Sequence, residues 1–264
     1  MQVAYVQFCP AFCDPDNTMA RLAPLLARCA SADLVVLPEL CNSGYNFPTR
    51  DDAAAYAEPV DDSRFLDFLR DQCRAHDIDV VTGFNEKDDR ALYNSAVLVT
   101  PDGIAGRYRK LHLFVNEKDI FTPGDLGLPV FERPYGRLGM LICFDWAFPE
   151  AWRVLALRGA DIICHPANLV LPGLAQKAIP IYALTNRVYI VTANRIGTER
   201  NLTFTGLSLV ADPSGDVLTQ APQTEEAVAV ADVDVSRARD KQVTPRNHLF
   251  DDRRPAEYVA LTTG

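Results

Sequence analysis

Residues Gly139-Met140-Leu141-Ile142-Cys143-Phe144-Asp145-Trp146-Ala147-Phe148-Pro149-Glu150 decide the fold of this chain. The apolar first half is typical of a strand buried on both faces of an α/β sheet, and it places Cys143 at the strand end. Pro149 and Glu150 suit the first turn of a helix, which we expect over residues 151–158. The stretch therefore predicts a cysteine at a strand-to-helix corner, where unpaired backbone N–H groups can lower the pKa of a thiol and bind an oxyanion. Ordinary packing is the alternative for any free cysteine.

Length and composition indicate one large α/β domain over residues 1–264. The sequence is 48% hydrophobic and 23% charged, and no linker rich in Pro, Gly or Ser divides it. Helices and strands alternate first and strands dominate later, which favours more than one sheet with helices outside. The formal net charge of −9 argues against nucleic-acid and anionic-membrane partners. A small neutral substrate is unaffected by this field.

Several other classes of protein are disfavoured by the sequence. The start lacks a basic segment followed by a long apolar one, so it predicts a first strand and not a signal peptide. No apolar run approaches the ~20 residues of a membrane-spanning helix. The seven cysteines are an odd number without paired CxxC spacing, which indicates reduced thiols in the cytoplasm. Because zinc-type spacings are missing, we expect no metal and no other cofactor.

Hydrophobic periodicity and turn residues predict the remaining elements. We expect Asn17 to cap the first helix and Pro24 to kink it, Pro180 to break or kink a later one, and residues 115–127 to form a loop. Helices are predicted over residues 17–30, 63–76 and 174–187. Further strands are predicted over residues 1–8, 33–39, 79–84, 95–100, 104–110, 130–131, 137–142, 160–164, 189–193, 206–211, 217–220 and 227–233.

Three of these strand ends carry reactive side chains. Glu39 follows a buried strand and Lys110 ends another among aromatic residues, while Cys143 ends a third. A solvated glutamate and an edge lysine are the commoner fates of such residues. Together, however, a carboxylate that can accept a proton, an ammonium that can stabilise an oxyanion and a thiol form a usable acyl-transfer site.

The segments around these residues resemble the signature blocks of the nitrilase (carbon–nitrogen hydrolase) superfamily. The blocks are Pro38-Glu39-Leu40, Tyr108-Arg109-Lys110-Leu111-His112-Leu113-Phe114, and Ile142-Cys143-Phe144-Asp145-Trp146 with Phe148-Pro149-Glu150. The resemblance runs from Met1 to the Asp252-Arg253-Arg254-Pro255 segment. It implies a four-layer αββα sandwich that forms a homodimer or higher homo-oligomer, with a C-terminal tail of about residues 243–264 packing on a partner subunit.

The resemblance also implies roles for individual residues. Glu39 would be the general base, Lys110 would stabilise the tetrahedral intermediate and Cys143 would be the nucleophile. Glu117 falls where the family has a second glutamate that positions substrate or water. The Phe144 backbone N–H would join Lys110 in the oxyanion hole, and Tyr45, Trp146 and Asn168 would line the substrate pocket.

The expected reaction is hydrolysis of a small carboxamide through a thioester on Cys143. Nitrile hydrolysis is the close alternative, because Cys143-Phe144-Asp145 resembles the amidase and carbamoylase branches, although some short nitrilases share that form. An N-carbamoyl substrate would need a cation for its carboxylate, which Arg195 or Arg200 could supply. Two hypotheses concern other classes of protein. One is a Cys–His site that uses His112 or His165, and the other is a binding protein without catalysis.

Overall fold

The computed structural model describes residues 1–263 and contains two six-stranded sheets. The strands are β1 (Gln2–Gln7), β2 (Leu34–Val36), β3 (Asp79–Asp88), β4 (Ala91–Thr100), β5 (Gly103–Arg109), β6 (Val130–Arg133), β7 (Gly136–Met140), β8 (Ile162–Ala167), β9 (Tyr189–Asn194), β10 (Thr198–Glu199), β11 (Leu202–Thr203), β12 (Leu209–Ala211), β13 (Val217–Gln220), β14 (Ala227–Asp232), β15 (Gln242–Thr244) and β16 (Asn247–His248). The helices are α1 (Pro15–Ala27), α2 (Arg50–Ala54), α3 (Arg64–His76), α4 (Glu117–Ile120), α5 (Pro149–Leu157), α6 (Leu174–Asn186) and α7 (Val235–Arg239), with 3-10 helices at Cys143–Ala147 and Pro255–Leu261.

The two large sheets have the same mixed pattern. The first has the order β14-β1-β2-β3-β4-β5, and the second has the order β13-β12-β9-β8-β7-β6. The three central strands β1, β2 and β3 are parallel, as are β7, β8 and β9. The outer strands join antiparallel. β10 with β11 and β15 with β16 form two small hairpins.

Alternation along the strands divides the core into layers. Val3 and Tyr5 face the second sheet, in a cluster that continues to α5 and α6 through Leu155 and Ile179. The intervening residues of β1 pack with α1 and α3 on the other side. Because successive side chains of a strand point to opposite faces, one strand contributes to both cores. The order of layers is helix, sheet, sheet, helix, which confirms the predicted αββα sandwich.

The strand before Cys143 is shorter than predicted. β7 ends at Met140, and Cys143 opens a 3-10 helix with φ 41°. The Asp145 carboxylate accepts the backbone N–H of Ile142 at 2.8 Å, which closes a turn at this point. The prediction that Cys143 ends a strand is therefore wrong, although the strand-to-helix corner exists, and the following helix begins at Pro149.

Other boundaries also differ from prediction. The first helix is capped by Asp14, whose side chain accepts the Asn17 N–H, so the cap predicted at Asn17 is wrong and the helix begins earlier. β3 and β4 are longer than predicted, and Glu86 in the added part of β3 is buried and paired with Arg107 and Arg109. The segment predicted as a loop, residues 115–127, contains α4. Within residues 1–263, every helix is too short or too polar to cross a bilayer.

Candidate active site

Glu39 follows β2 and is fixed by close backbone contact with β3. Gly83 N–H donates to Pro38 O at 3.0 Å, and Cys41 N–H donates to Gly83 O at 3.0 Å. A Cβ atom on Gly83 would lie 2.2 Å from the Glu39 Cα, so this approach requires glycine. Leu40 then turns the chain with φ 47°. The result is a fully buried glutamate side chain with little backbone freedom.

Lys110 follows β5 and binds two carboxylates. Its Nζ donates to Glu39 Oε1 at 2.6 Å and to Glu117 Oε1 at 2.8 Å. The side chain is buried, and burial alone lowers a lysine pKa. Here the negative charges of Glu117 and Glu39 raise the pKa of Lys110 above its ordinary value. The ammonium therefore stays charged inside the protein.

Glu117 lies in α4 and faces Lys110. Its Oε1 also accepts the Tyr45 hydroxyl at 2.7 Å, and its Oε2 accepts the Phe114 N–H at 3.3 Å. Burial raises the pKa of Glu117 to about 6, against the opposing attraction of Lys110. Glu117 is therefore ionised at neutral pH and becomes neutral in mild acid.

Cys143 is 5% exposed and has a backbone conformation in the left-handed region, which is strained for a residue with a Cβ. Burial and then the charge of Glu39 raise the pKa of the thiol well above its ordinary value, and Lys110 opposes them. The lowering that such a corner can produce does not occur here, because burial outweighs the positive groups nearby. Cys143 rests as a thiol and needs a base when it attacks.

Asp145 ties the segment that carries Lys110 to the turn that carries Cys143. Its carboxylate accepts the Tyr108 hydroxyl at 2.7 Å and lies 2.7 Å from His112 Nδ1. Tyr108 and His112 flank Lys110 in sequence, and all of Asp145 is buried. A satisfied buried network of this kind rigidifies its surroundings, so the two segments hold a fixed relation.

A narrow cleft opens beside Cys143, with a volume of about 10 Å³. Phe144, Trp146 and Asn168, all predicted from the sequence as pocket residues, line it together with Phe114. Phe144 is the second residue of the 3-10 helix, where the backbone N–H has no partner inside the helix. This N–H is available to an oxyanion.

A larger cavity of about 300 Å³ adjoins the cleft. Phe114 lines both spaces, and Tyr45 and Glu117 line the larger one. Its other walls are aromatic, aliphatic or amide side chains, and no Lys or Arg is among the described residues that line it. The cavity therefore suits a neutral, largely apolar group.

Both histidines considered as bases for Cys143 have other partners. His165 Nε2 lies 3.0 Å from the Cys143 carbonyl oxygen, and its Nδ1 lies 3.2 Å from Thr192 Oγ1. Burial lowers the pKa of His165 to about 4, so it is a weak base. His112 is held by Asp145. This geometry disfavours a Cys–His site.

The arginines considered as carboxylate ligands lie outside the cavity. Arg195 pairs with Glu199 at 2.6 Å and donates to Pro10 O at 3.3 Å. Its guanidinium also lies 4.2 Å above the Phe204 ring. Arg200 is exposed and lines neither the cleft nor the cavity. Neither cation is placed to bind a substrate carboxylate.

Asn94 was missed by sequence reasoning. Its Nδ2 donates to Glu39 Oε1 at 2.7 Å, and the residue is fully buried in β4. The only signal in the sequence is a polar residue within an apolar strand, which does not reveal what it faces. Within residues 1–263, no three His, Cys, Asp or Glu side chains are grouped as metal ligands.

Comparison with known proteins gives consistent matches over nearly the whole chain. The family model described as carbon-nitrogen hydrolase matches residues 2–242. The chain is 48% identical to the nitrilase of Pyrococcus abyssi over 260 residues, covering 98% of this chain and 99% of the relative. It is 37% identical to the (R)-stereoselective amidase of a Pseudomonas species over 229 residues, covering 85% and 82%. The crystal structure of a carbon-nitrogen hydrolase from Helicobacter pylori G27 matches with a TM-score of 0.87 at 26% identity, covering 99% and 98%.

Proposed function

The chain belongs to the carbon–nitrogen hydrolase family, and on that premise we propose that it hydrolyses small carboxamides to a carboxylate and ammonia through a thioester on Cys143. The observation that carries this proposal is the buried ammonium of Lys110 between two carboxylates. Such a charge is costly to bury and serves no packing need, which is typical of functional sites. It is suited to a substrate oxygen that becomes negative.

The charge states of the site indicate an order of proton transfers. Cys143 rests as a thiol, so Glu39 takes its proton as sulfur attacks the carbonyl carbon. Lys110 and the Phe144 N–H stabilise the oxyanion that forms. Glu39 then passes the proton to the leaving nitrogen, and ammonia departs as the thioester forms. Water attacks the thioester with Glu39 as base, which releases the carboxylate and restores the thiol.

The two adjoining spaces support a small, neutral substrate. The cleft beside Cys143 is narrow, so the reacting group would lie there and the acyl chain would extend into the larger cavity. A free carboxylate on the substrate would meet Glu117 there, and no Lys or Arg among the described residues that line this cavity could pair with it. The N-carbamoyl amino acid alternative is therefore less favoured than a simple amide.

Nitrile hydrolysis is the second candidate, and the 48% identical relative that is named a nitrilase favours it. A nitrile needs the same nucleophile and base, with an additional water added before ammonia leaves. Purified protein should therefore be incubated with amide and nitrile pairs that share an acyl group, and ammonia should be measured. Faster release of ammonia from the amide supports amide hydrolysis, and faster release from the nitrile supports nitrile hydrolysis instead. Cys143→Ala should release none from either.

We also propose that the protein acts as a homodimer, with the tail at residues 243–264 packing on the partner. Apolar side chains that are exposed in this single chain support it, both on the helices (Leu157, Leu174, Ile181 and Leu184) and in the tail (Val243, Val259 and Leu261). Burial of such groups is the usual driving force of association. Light scattering on the full chain and on a chain shortened after residue 242 tests this, because the shortened chain should dissociate. A full chain that is monomeric would refute the proposal.

A further inference from the structure

The two oxygens of the Glu39 carboxylate have different surroundings. Oε1 accepts Lys110 Nζ at 2.6 Å and Asn94 Nδ2 at 2.7 Å. Oε2 is buried and has no hydrogen-bond partner within residues 1–263. A buried carboxylate oxygen without a donor is costly, and such an atom in a native structure needs an explanation. Its position in the candidate active site provides one, because an oxygen without a donor keeps its lone pairs free to accept a proton.

Asn94 is placed by the same strand pairing that places Lys110. Lys110 N–H donates to Asn94 O at 2.8 Å, so Asn94 in β4 lies beside Lys110 directly after β5. Both side chains reach the same oxygen of Glu39. An amide side chain can contact an ionised carboxylate only through its NH₂ group, because its carbonyl oxygen is an acceptor, like the carboxylate oxygens, and would be repelled. The position of Asn94 therefore defines its role as a donor.

The contact from Asn94 differs from that of Lys110 in one respect. Lys110 has to serve Glu39, Glu117 and the substrate oxyanion, so its bond to Glu39 changes as charge develops on the substrate. Asn94 Nδ2 donates to Glu39 and its Oδ1 has no partner within residues 1–263. Its donor can stay on Oε1 throughout the reaction, and it adds no charge that would alter the basicity of the carboxylate strongly.

We propose that Asn94 is a positioning residue that holds Oε1 of Glu39 and thereby leaves Oε2 as the oxygen that takes the proton from Cys143 and delivers it to the leaving group. Only the delivery of the proton to the leaving group rests on the proposed hydrolysis. The transfer of the proton from Cys143 to Glu39 involves the thiol and the base alone, so it can be tested without any amide substrate.

The test compares Asn94→Ala, Asn94→Asp, Glu39→Gln and wild type. The first measurement is the rate at which iodoacetamide alkylates Cys143, followed by mass spectrometry of the cysteine peptides. The second is kcat and KM for an amide that the wild type hydrolyses. We expect Asn94→Ala to alkylate and turn over about 10- to 100-fold more slowly, the effect of one hydrogen bond to a charged group, with little change in KM. Glu39→Gln gives the limit for loss of the base.

Asn94→Asp gives a readout that a structural role would not change. Its carboxyl can donate to Glu39 only while protonated, so activity should be regained as pH falls and lost as pH rises. The pH profile should therefore move to the acid side of the wild-type profile. Because aspartate is nearly isosteric with asparagine, this variant keeps the test available if Asn94→Ala fails to fold. Asn186→Ala is the matched control, since it removes a buried amide whose one hydrogen bond within the described part of the chain is to Tyr182 O in α6.

The outcomes separate this inference from the proposed function. Wild-type alkylation and turnover rates in folded Asn94→Ala, or a pH profile for Asn94→Asp parallel to the wild type, would overturn the inference. If the wild type hydrolyses no amide but alkylation still depends on Glu39 and Asn94, the inference stands and the proposed substrate class fails. If Asn186→Ala loses as much activity as Asn94→Ala, the effect is one of general destabilisation, and this would also overturn the inference.

Discussion

Substitution of Gly83 by alanine tests whether the exact position of Glu39 controls activity. The new Cβ would lie 2.2 Å from Glu39 Cα and 2.5 Å from Leu40 N, whereas ordinary contact begins at 3.4 Å. These neighbours are backbone atoms, which cannot rotate away. The segment that carries Glu39 must therefore move by about 1.2 Å to restore ordinary contact.

A displacement of this size is large for a catalytic group. A misplacement of about 1 Å can lower a rate about 100-fold, and overpacking costs about 1–3 kcal/mol of stability. We expect Gly83→Ala to fold with reduced stability in urea and to lose about 100-fold in kcat/KM. Gly106→Ala is the matched control, because the three atoms nearest to its Cβ would all belong to the Phe131 ring, a side chain that can move.

Comparison of the two variants isolates the effect of geometry. Gly106→Ala should lose stability and keep a kcat/KM close to that of the wild type. A folded Gly83→Ala with unchanged kcat/KM would refute the reasoning, since Glu39 would then tolerate displacement. Equal losses of activity in both variants would also refute it, because they would indicate a general effect of destabilisation.

Three further predictions concern the charged groups around the site. The kcat/KM of the wild type should decline below about pH 6, because protonation of Glu117 removes the negative charge that faces Lys110. Glu117→Gln should be slower and should lack this decline. If the variant keeps the decline, a group other than Glu117 is responsible for it. His165→Gln should lose at most about 10-fold in kcat, since only a hydrogen bond to the Cys143 carbonyl is altered; a loss of several orders would favour the Cys–His alternative. Glu86→Ala should lose about 3–5 kcal/mol in urea unfolding because buried Arg109 loses its buried carboxylate partner and keeps only the exposed carboxylates of Asp88 and Asp125; an unchanged stability would contradict this.

Much of the architecture was predictable because it depends on patterns that are local in sequence. The apolar runs that became β1, β2, β7 and β9 each have a composition that favours burial. The periodic apolar residues from Ser63 onward were enough to predict α3, which Ser63 caps in the structure. Short elements such as α2 and α7 were missed, since a single helical turn has almost no periodicity to detect.

The location of the candidate site was also predictable, but its electrostatics were not. Glu39, Lys110 and Cys143 were identified from strand ends and from the family resemblance. The direction of the Cys143 pKa shift depends on burial, which is set by residues distant in sequence such as Asn168 and Phe114. Asn94 depends on the register between β4 and β5, and no pattern within either strand encodes which polar atom it faces.

The identity of the nucleophile is tested most directly by mass spectrometry of protein quenched during turnover of an amide. We predict an adduct of the acyl mass on the peptide that contains Cys143, absent from peptides with the other six cysteines and absent from Cys143→Ala. Glu39→Gln should form it more slowly. Turnover without any adduct on Cys143, or with an adduct on another cysteine, would contradict the account.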